Sequence, residues 1–193
     1  VDFTDVAPTI LVTKTPSVVS VPETGGSVTF TFTVQNTSSE EPVTVLSLLD
    51  SVYGTLTGDA DCEVGTVLAA GGSCEFAITR TLASDSLTTH VNVFTAVAED
   101  DDGTDATDDD DATVRFTDVA PTIVVTKTAN PTAVQWTGGN VTFTFTVQTP
   151  GPEDVTLTVL NDTVFGDLDG RGDCDVPQTI LIGASYSCTF TVF

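Results

Sequence analysis

Val28-Thr29-Phe30-Thr31-Phe32-Thr33-Val34-Gln35 is the stretch that decides the fold. Apolar and hydroxyl side chains alternate without a break, so an extended chain places Phe30, Phe32 and Val34 on one face and the threonines on the other. A helix would scatter the same residues around its axis. Aromatic and β-branched side chains also favour the pleated backbone. The octet reads as a strand with one buried face, and it returns residue for residue at Val141–Gln148.

The match between the two places grows on moving outward. Val12-Thr13-Lys14-Thr15 answers to Val125-Thr126-Lys127-Thr128, and Gly25-Gly26 to Gly138-Gly139. Val1–Ile10 recurs as Val114–Ile123 with a single change, Asp2 against Arg115. Further along, Cys62 and Cys74 correspond to Cys174 and Cys188. Two copies of one module are expected. Nothing after Phe193 answers to the last third of the first copy, and the first five residues match the end of a module. The chain reads as a window on a longer tandem array. Residues 1–5 close a preceding module, 6–117 form the first module, and 118–193 form a second without its last strands.

The same alternation marks strands in the first copy at 8–22 (broken near Pro16), 27–35, 42–50, 62–68, 73–82, 88–98 and 111–117. Gly and Pro gather between them at Pro22–Gly26, Gly71-Gly72 and Pro150–Pro152. No helical stripe is present. About seven short strands per copy predict an all-β chain of tandem immunoglobulin-like β-sandwich modules, each of two packed antiparallel sheets.

Composition narrows function. The 193 residues carry 28 acidic against five basic side chains, a formal net charge of −23, with one His and four Cys. Too few cations are available to neutralise a nucleic-acid backbone, so no nucleic-acid partner is expected. Apolar runs are strand-sized, so no membrane insertion is expected either. A nucleophile with an adjacent base, a Gly-rich phosphate cradle and a His-based metal set are all missing from the sequence, and the chain is read as no enzyme.

V-T-K-T, then G-G-x-V-T-F-T-F-T-V-Q, then a C…G-G-S-C hairpin, then V-N-V-F-T-A-V-A-E-D-D-D-G resembles the tandem immunoglobulin-like repeats of large bacterial and archaeal surface proteins. The resemblance covers nearly the whole chain and implies a stalk, fibre or cell-surface filament, in which copies of itself are the partners. The alternative is an adhesin module that recognises a glycan or a host protein. The constant T-D-V-A-P linker favours scaffolding.

The cysteines come in matched pairs, and the simplest connectivity is Cys62–Cys74 and Cys174–Cys188, one staple per module. Each would contribute about 3 kcal/mol in the chain-entropy account. A thiolate metal site is the rival, but the lone His90 has no partner in the pattern. Disulfides imply an extracellular or cell-surface location.

The densest acidic run spans Glu99 to Asp111 and is read as a loop. Asp100, Asp101 and Asp102 would meet Asp5 at one end of the module, and Asp118 marks the other end. Asp-rich loops at a module junction resemble the calcium-rigidified junctions of cadherins, so these five are candidate Ca2+ ligands. The competing reading is a solvated acidic face.

Lys14 lies in register with Ile10 and Val12, on an inward face. Such a lysine could form an intramolecular isopeptide bond with an Asn, and Asn92 on a later strand is the candidate. The competing reading lays the lysine stem along the rim with its head in water. Asn36, Asn140 and Asn161 sit in N-x-S/T sequons and are candidate glycan acceptors. Arg171-Gly172-Asp173 is read as a chance tripeptide, and Trp136 as a rim or core aromatic.

Overall fold

A computed structural model describes residues 6–84 and 86–193, which leaves Asp5 outside the described residues. The chain divides into two compact units, Val1–Asp118 and Val119–Phe193. All regular structure among the described residues is β.

In the first unit the strands are β1 (Ile10–Pro16), β2 (Ser20–Pro22), β3 (Gly26–Asn36), β4 (Val43–Asp50), β5 (Gly54–Thr55), β6 (Gly58–Asp59), β7 (Cys62–Glu63), β8 (Val67–Leu68), β9 (Ser73–Leu82), β10 (Thr89–Glu99) and β11 (Asp105–Thr117). They form a three-stranded sheet in the order β1-β3-β9 and a larger sheet in the order β2-β11-β10-β4-β5. The octet Val28–Gln35 lies in β3, between β1 and β9. Its Val28, Phe30, Phe32 and Val34 are fully buried and share one core with Val45, Leu48, Phe94 and Val114 of the larger sheet. Phe32 stacks on Phe76 and meets the edge of Phe94, with ring centroids 4.8 Å apart in both pairs. The two sheets therefore close a single core, as a β-sandwich does.

One expectation is corrected here. The acidic run is no loop. β10 ends at Glu99, the chain turns through residues 100–104, and β11 begins at Asp105 and pairs with β10 without a break through Arg115. Asp is depleted in strands, which hid this one. β1 is the outer strand of its sheet, and its free edge exposes unpaired N–H groups. The Asp108 and Asp110 carboxylates accept hydrogen bonds from the N–H groups of Val12 and Lys14, each at 2.8 Å. Asp109 and Asp111 point to solvent. Alternate aspartates thus close an edge between the sheets. The expected strand at 62–68 is also replaced by two short bridges, β7 and β8.

The second unit has β12 (Thr122–Asn130), β13 (Val141–Gly151), β14 (Val155–Leu157), β15 (Asn161–Asp162), β16 (Gly166–Asp167), β17 (Gln178–Ile180) and β18 (Ser185–Val192). The sheet β12-β13-β18 repeats β1-β3-β9 in order and pairing. Its core gathers Phe145, Val147, Leu157, Leu168, Ile180 and Phe190. β12 is exposed along nearly its whole length: Ile123 and Val125 are 48% and 54% exposed, where Ile10 and Val12 are 9% and 2%. Among the described residues of this unit, nothing takes the place of β10 and β11.

Candidate functional site

Asp50 ends β4, and its Oδ1 accepts the N–H groups of Val52 and Tyr53, both at 2.9 Å. This is the local Asp turn that short carboxylates favour. With Oδ1 engaged, Oδ2 faces the space between the sheets. There it accepts a hydrogen bond from Lys14 Nζ at 2.5 Å. Lys14 comes from β1 and Asp50 from the opposite sheet, so the contact spans the sandwich.

Asn92 of β10 completes the group. Its Nδ2 donates to Asp50 Oδ2 at 3.1 Å and Oδ1 at 3.2 Å, and its backbone carbonyl accepts from Lys14 Nζ at 3.2 Å. Amine and side-chain amide therefore meet on one carboxylate oxygen. All three residues are buried, with Lys14 3%, Asp50 1% and Asn92 0% exposed. The Phe30 and Phe32 rings flank the amine, with centroids 5.3 Å from Nζ. Asn92 Oδ1 is buried and has no hydrogen-bond partner, a costly state for an acceptor in a dry core.

Burial pushes the Lys14 amine below its ordinary range, against the stabilising hydrogen bond and charge of Asp50. Burial pushes the Asp50 carboxyl up, but the Lys14 hydrogen bond and the Tyr53 and Val52 N–H groups outweigh it and hold the acid below its ordinary value. Close by, Tyr53 Oη and His90 Nε2 are 3.2 Å apart. Burial, then the Lys14 charge, lower the His90 pKa. Chemically, the site brings together an amine, a carboxylate and a side-chain amide.

The second unit repeats half of this. Lys127 Nζ donates to Asp162 Oδ2 at 2.5 Å, and Asp162 Oδ1 accepts the N–H groups of Val164 and Phe165 at 2.9 and 3.1 Å. Phe143, Phe145 and Phe165 surround the amine at 4.8, 5.4 and 5.2 Å. The Lys127 side chain is 36% exposed, because among the described residues of this unit no strand of the β10 kind lies across it.

Sequence reasoning named Lys14 and Asn92 but missed Asp50. The signal was present: Asp50-Ser51-Val52-Tyr53-Gly54 returns as Asp162-Thr163-Val164-Phe165-Gly166. The rim reading of Lys14 is corrected, since its amine is buried against a carboxylate rather than in water.

Cys62–Cys74 and Cys174–Cys188 are disulfide-bonded, each within its own unit. Asp100 is buried in the β10–β11 turn, where its Oδ1 accepts the N–H groups of Asp102 and Thr104. Asp101 and Asp102 are exposed. The length of β11 separates this turn from Asp118 by about 40 Å of strand. Asn140 and Asn161 are exposed, but Asn36 is not an accessible glycan acceptor. It is fully buried, and its Nδ2 donates to the carbonyls of Glu41, Leu68 and Ala69. Trp136 belongs to no core and is 97% exposed.

Arg171-Gly172-Asp173 is folded into the Cys174 turn. Arg171 Nε donates to the Asp167 carbonyl at 2.9 Å, and the Asp173 carboxylate accepts from Thr189 N–H and Oγ1. Gly172 has a φ of +61°, and a Cβ there would stand 2.1 Å from the Thr189 carbonyl, so glycine is a packing requirement.

No family model and no curated protein matches the chain. Among solved structures, the crystal structure of red sea bream transglutaminase is similar at a TM-score of 0.31 and 13% identity, over 97% of this chain and 27% of that one. The chain thus spans about a quarter of that protein's length, and a likeness this weak carries no functional argument.

Proposed function

We propose that the chain is a pair of immunoglobulin-like modules from an extracellular filament, stalk or cell-surface fibre, with a mechanical rather than a catalytic role. The observation that carries this reading is repetition of the fastening. Each unit has its own disulfide and its own lysine–aspartate pair between an outer strand and the Asp turn. Such parts make each module durable independently of its neighbour, which is what a serial array under load requires. Disulfides also suit an oxidising, extracellular setting.

Further modules of the same kind are the natural partners, through covalent tandem or through strand addition to the open face of the second unit. Electron microscopy of the native material tests the proposal. Regular fibres or beaded stalks are expected, and dispersed globular particles would contradict it. Calcium at the Asp100–Asp102 turn would stiffen the array further. A melting temperature that stays constant on chelation at fixed ionic strength would remove that element. The adhesin reading draws on Trp136, whose exposed ring could stack on a sugar face, and binding that survives Trp136→Ala would count against it.

A further inference from the structure

We infer that Lys14 and Asn92 join covalently in the first unit, through an amide bond between Lys14 Nζ and Asn92 Cγ, with Asp50 carrying the proton. This is independent of whether the protein forms fibres. It rests on the placement of amine, carboxylate and amide on one oxygen in a core closed to water.

The reaction begins with transfer of a proton from Lys14 to Asp50 along their hydrogen bond. Burial has already made the ammonium a readier donor. What holds Asp50 ionised is chiefly its hydrogen bond from the lysine. Once the proton has moved, that support falls away, and burial favours the neutral acid. The amine now has a free lone pair, and Asp50 has an O–H to donate.

Asn92 Oδ1 is the acceptor that lacks a partner. Rotation of the amide about its Cβ–Cγ bond exchanges Oδ1 with Nδ2, so that the carbonyl receives the Asp50 O–H. The orphaned acceptor is satisfied and the carbonyl carbon becomes more electrophilic. The Nζ lone pair then attacks Cγ. In the tetrahedral intermediate a proton passes from Nζ through Asp50 to Nδ2, the Cγ–Nδ2 bond breaks, and ammonia leaves. The balance is one amine and one primary amide in, one secondary amide and one ammonia out, with no oxidant, reductant or cofactor. The flanking Phe30 and Phe32 rings keep hydrolytic water away from the product.

The bond ties β1 of the smaller sheet to β10 of the larger one. The second unit is an internal control. Lys127 and Asp162 are paired in the same way, but no asparagine stands in the Asn92 position among its described residues.

The test is the intact mass of the full chain, compared with the sequence mass after allowance for the two disulfides. The expected deficit is one ammonia and not two, with a branched peptide joining Lys14 to Asn92 after digestion. A full mass overturns the proposal. The Asp50→Asn chain is expected to keep its ammonia while still forming both disulfides and melting cooperatively. If it loses ammonia as the native chain does, Asp50 is not the proton carrier. If it fails to fold, Asp50→Glu takes its place. That carboxylate should restore ammonia loss, and a folded Asp50→Glu chain of full mass would overturn the carrier role.

Discussion

At the scale of residues, one buried carboxylate organises the first unit. Asp50 spends one oxygen on the turn that follows β4 and the other on the amine and amide between the sheets. Its environment also reaches His90, which contacts Tyr53 and lies 6.1 Å from the Phe30 ring. The groups facing this imidazole are the Tyr53 hydroxyl, the Lys14 amine and the Asp50 carboxylate. Because the folded state lowers the His90 pKa below 6.5, the unfolded chain takes up this proton first as pH falls. Stability should therefore decline from about pH 6.5 downward until the folded imidazole also titrates. Burial alone preserves the sign if the Lys14 charge is lost to an amide. Thermal melts across this window check the point. A falling melting temperature is expected for the native chain and a flatter profile for His90→Gln, whereas identical profiles would contradict the assignment.

At the scale of elements, β11 shows how an acidic sequence becomes a strand. Asp108 and Asp110 each take a backbone N–H from the edge of β1, and Asp109 between them takes none. Removing either inward carboxylate orphans a donor in a partly buried seam, at a cost of about 1–3 kcal/mol. Asp109→Ala should change stability by less than about 0.5 kcal/mol, as for an ordinary surface site. Urea unfolding of Asp108→Ala, Asp110→Ala and Asp109→Ala compares the three directly, and equal effects would refute the edge-closing role. The same elements show what the sequence made legible. Strict alternation in β3 and β10 located those strands within a residue, because one face of each is buried. The Asp run defeated the reading, since strand propensity counts Asp as a poor fit to a pleated, half-buried surface. Its inward aspartates are satisfied by a strand more than ninety positions earlier. Lys14 and Asn92 were legible from register, while Asp50 resembled an ordinary turn residue until the opposing sheet was placed over it.

At the scale of the whole molecule, the first unit is fastened in two ways. Cys62–Cys74 pins the segment that crosses to β9, and the Lys14–Asp50–Asn92 group pins sheet to sheet. Each works at a different place: the disulfide holds a loop inside the span closed by Lys14 and Asn92, and the link between those two residues meets a pull on the chain ends. Force entering along β1 would pass at Lys14 directly into β10 through the amide, and the chain between them would carry no load. Five basic residues serve the whole sequence, and two of them occupy the same position in the two units. In a chain this acidic, a cation is scarce, and its pairing with an aspartate twice in the same place fits a fastening role. The most direct measurement is single-molecule stretching of the full chain from its two ends without reductant. The first unit should release only the length outside Lys14–Asn92, and Asp50→Asn should recover the residues between them apart from the loop held by Cys62–Cys74. Release of that inner length from the native chain would contradict the account.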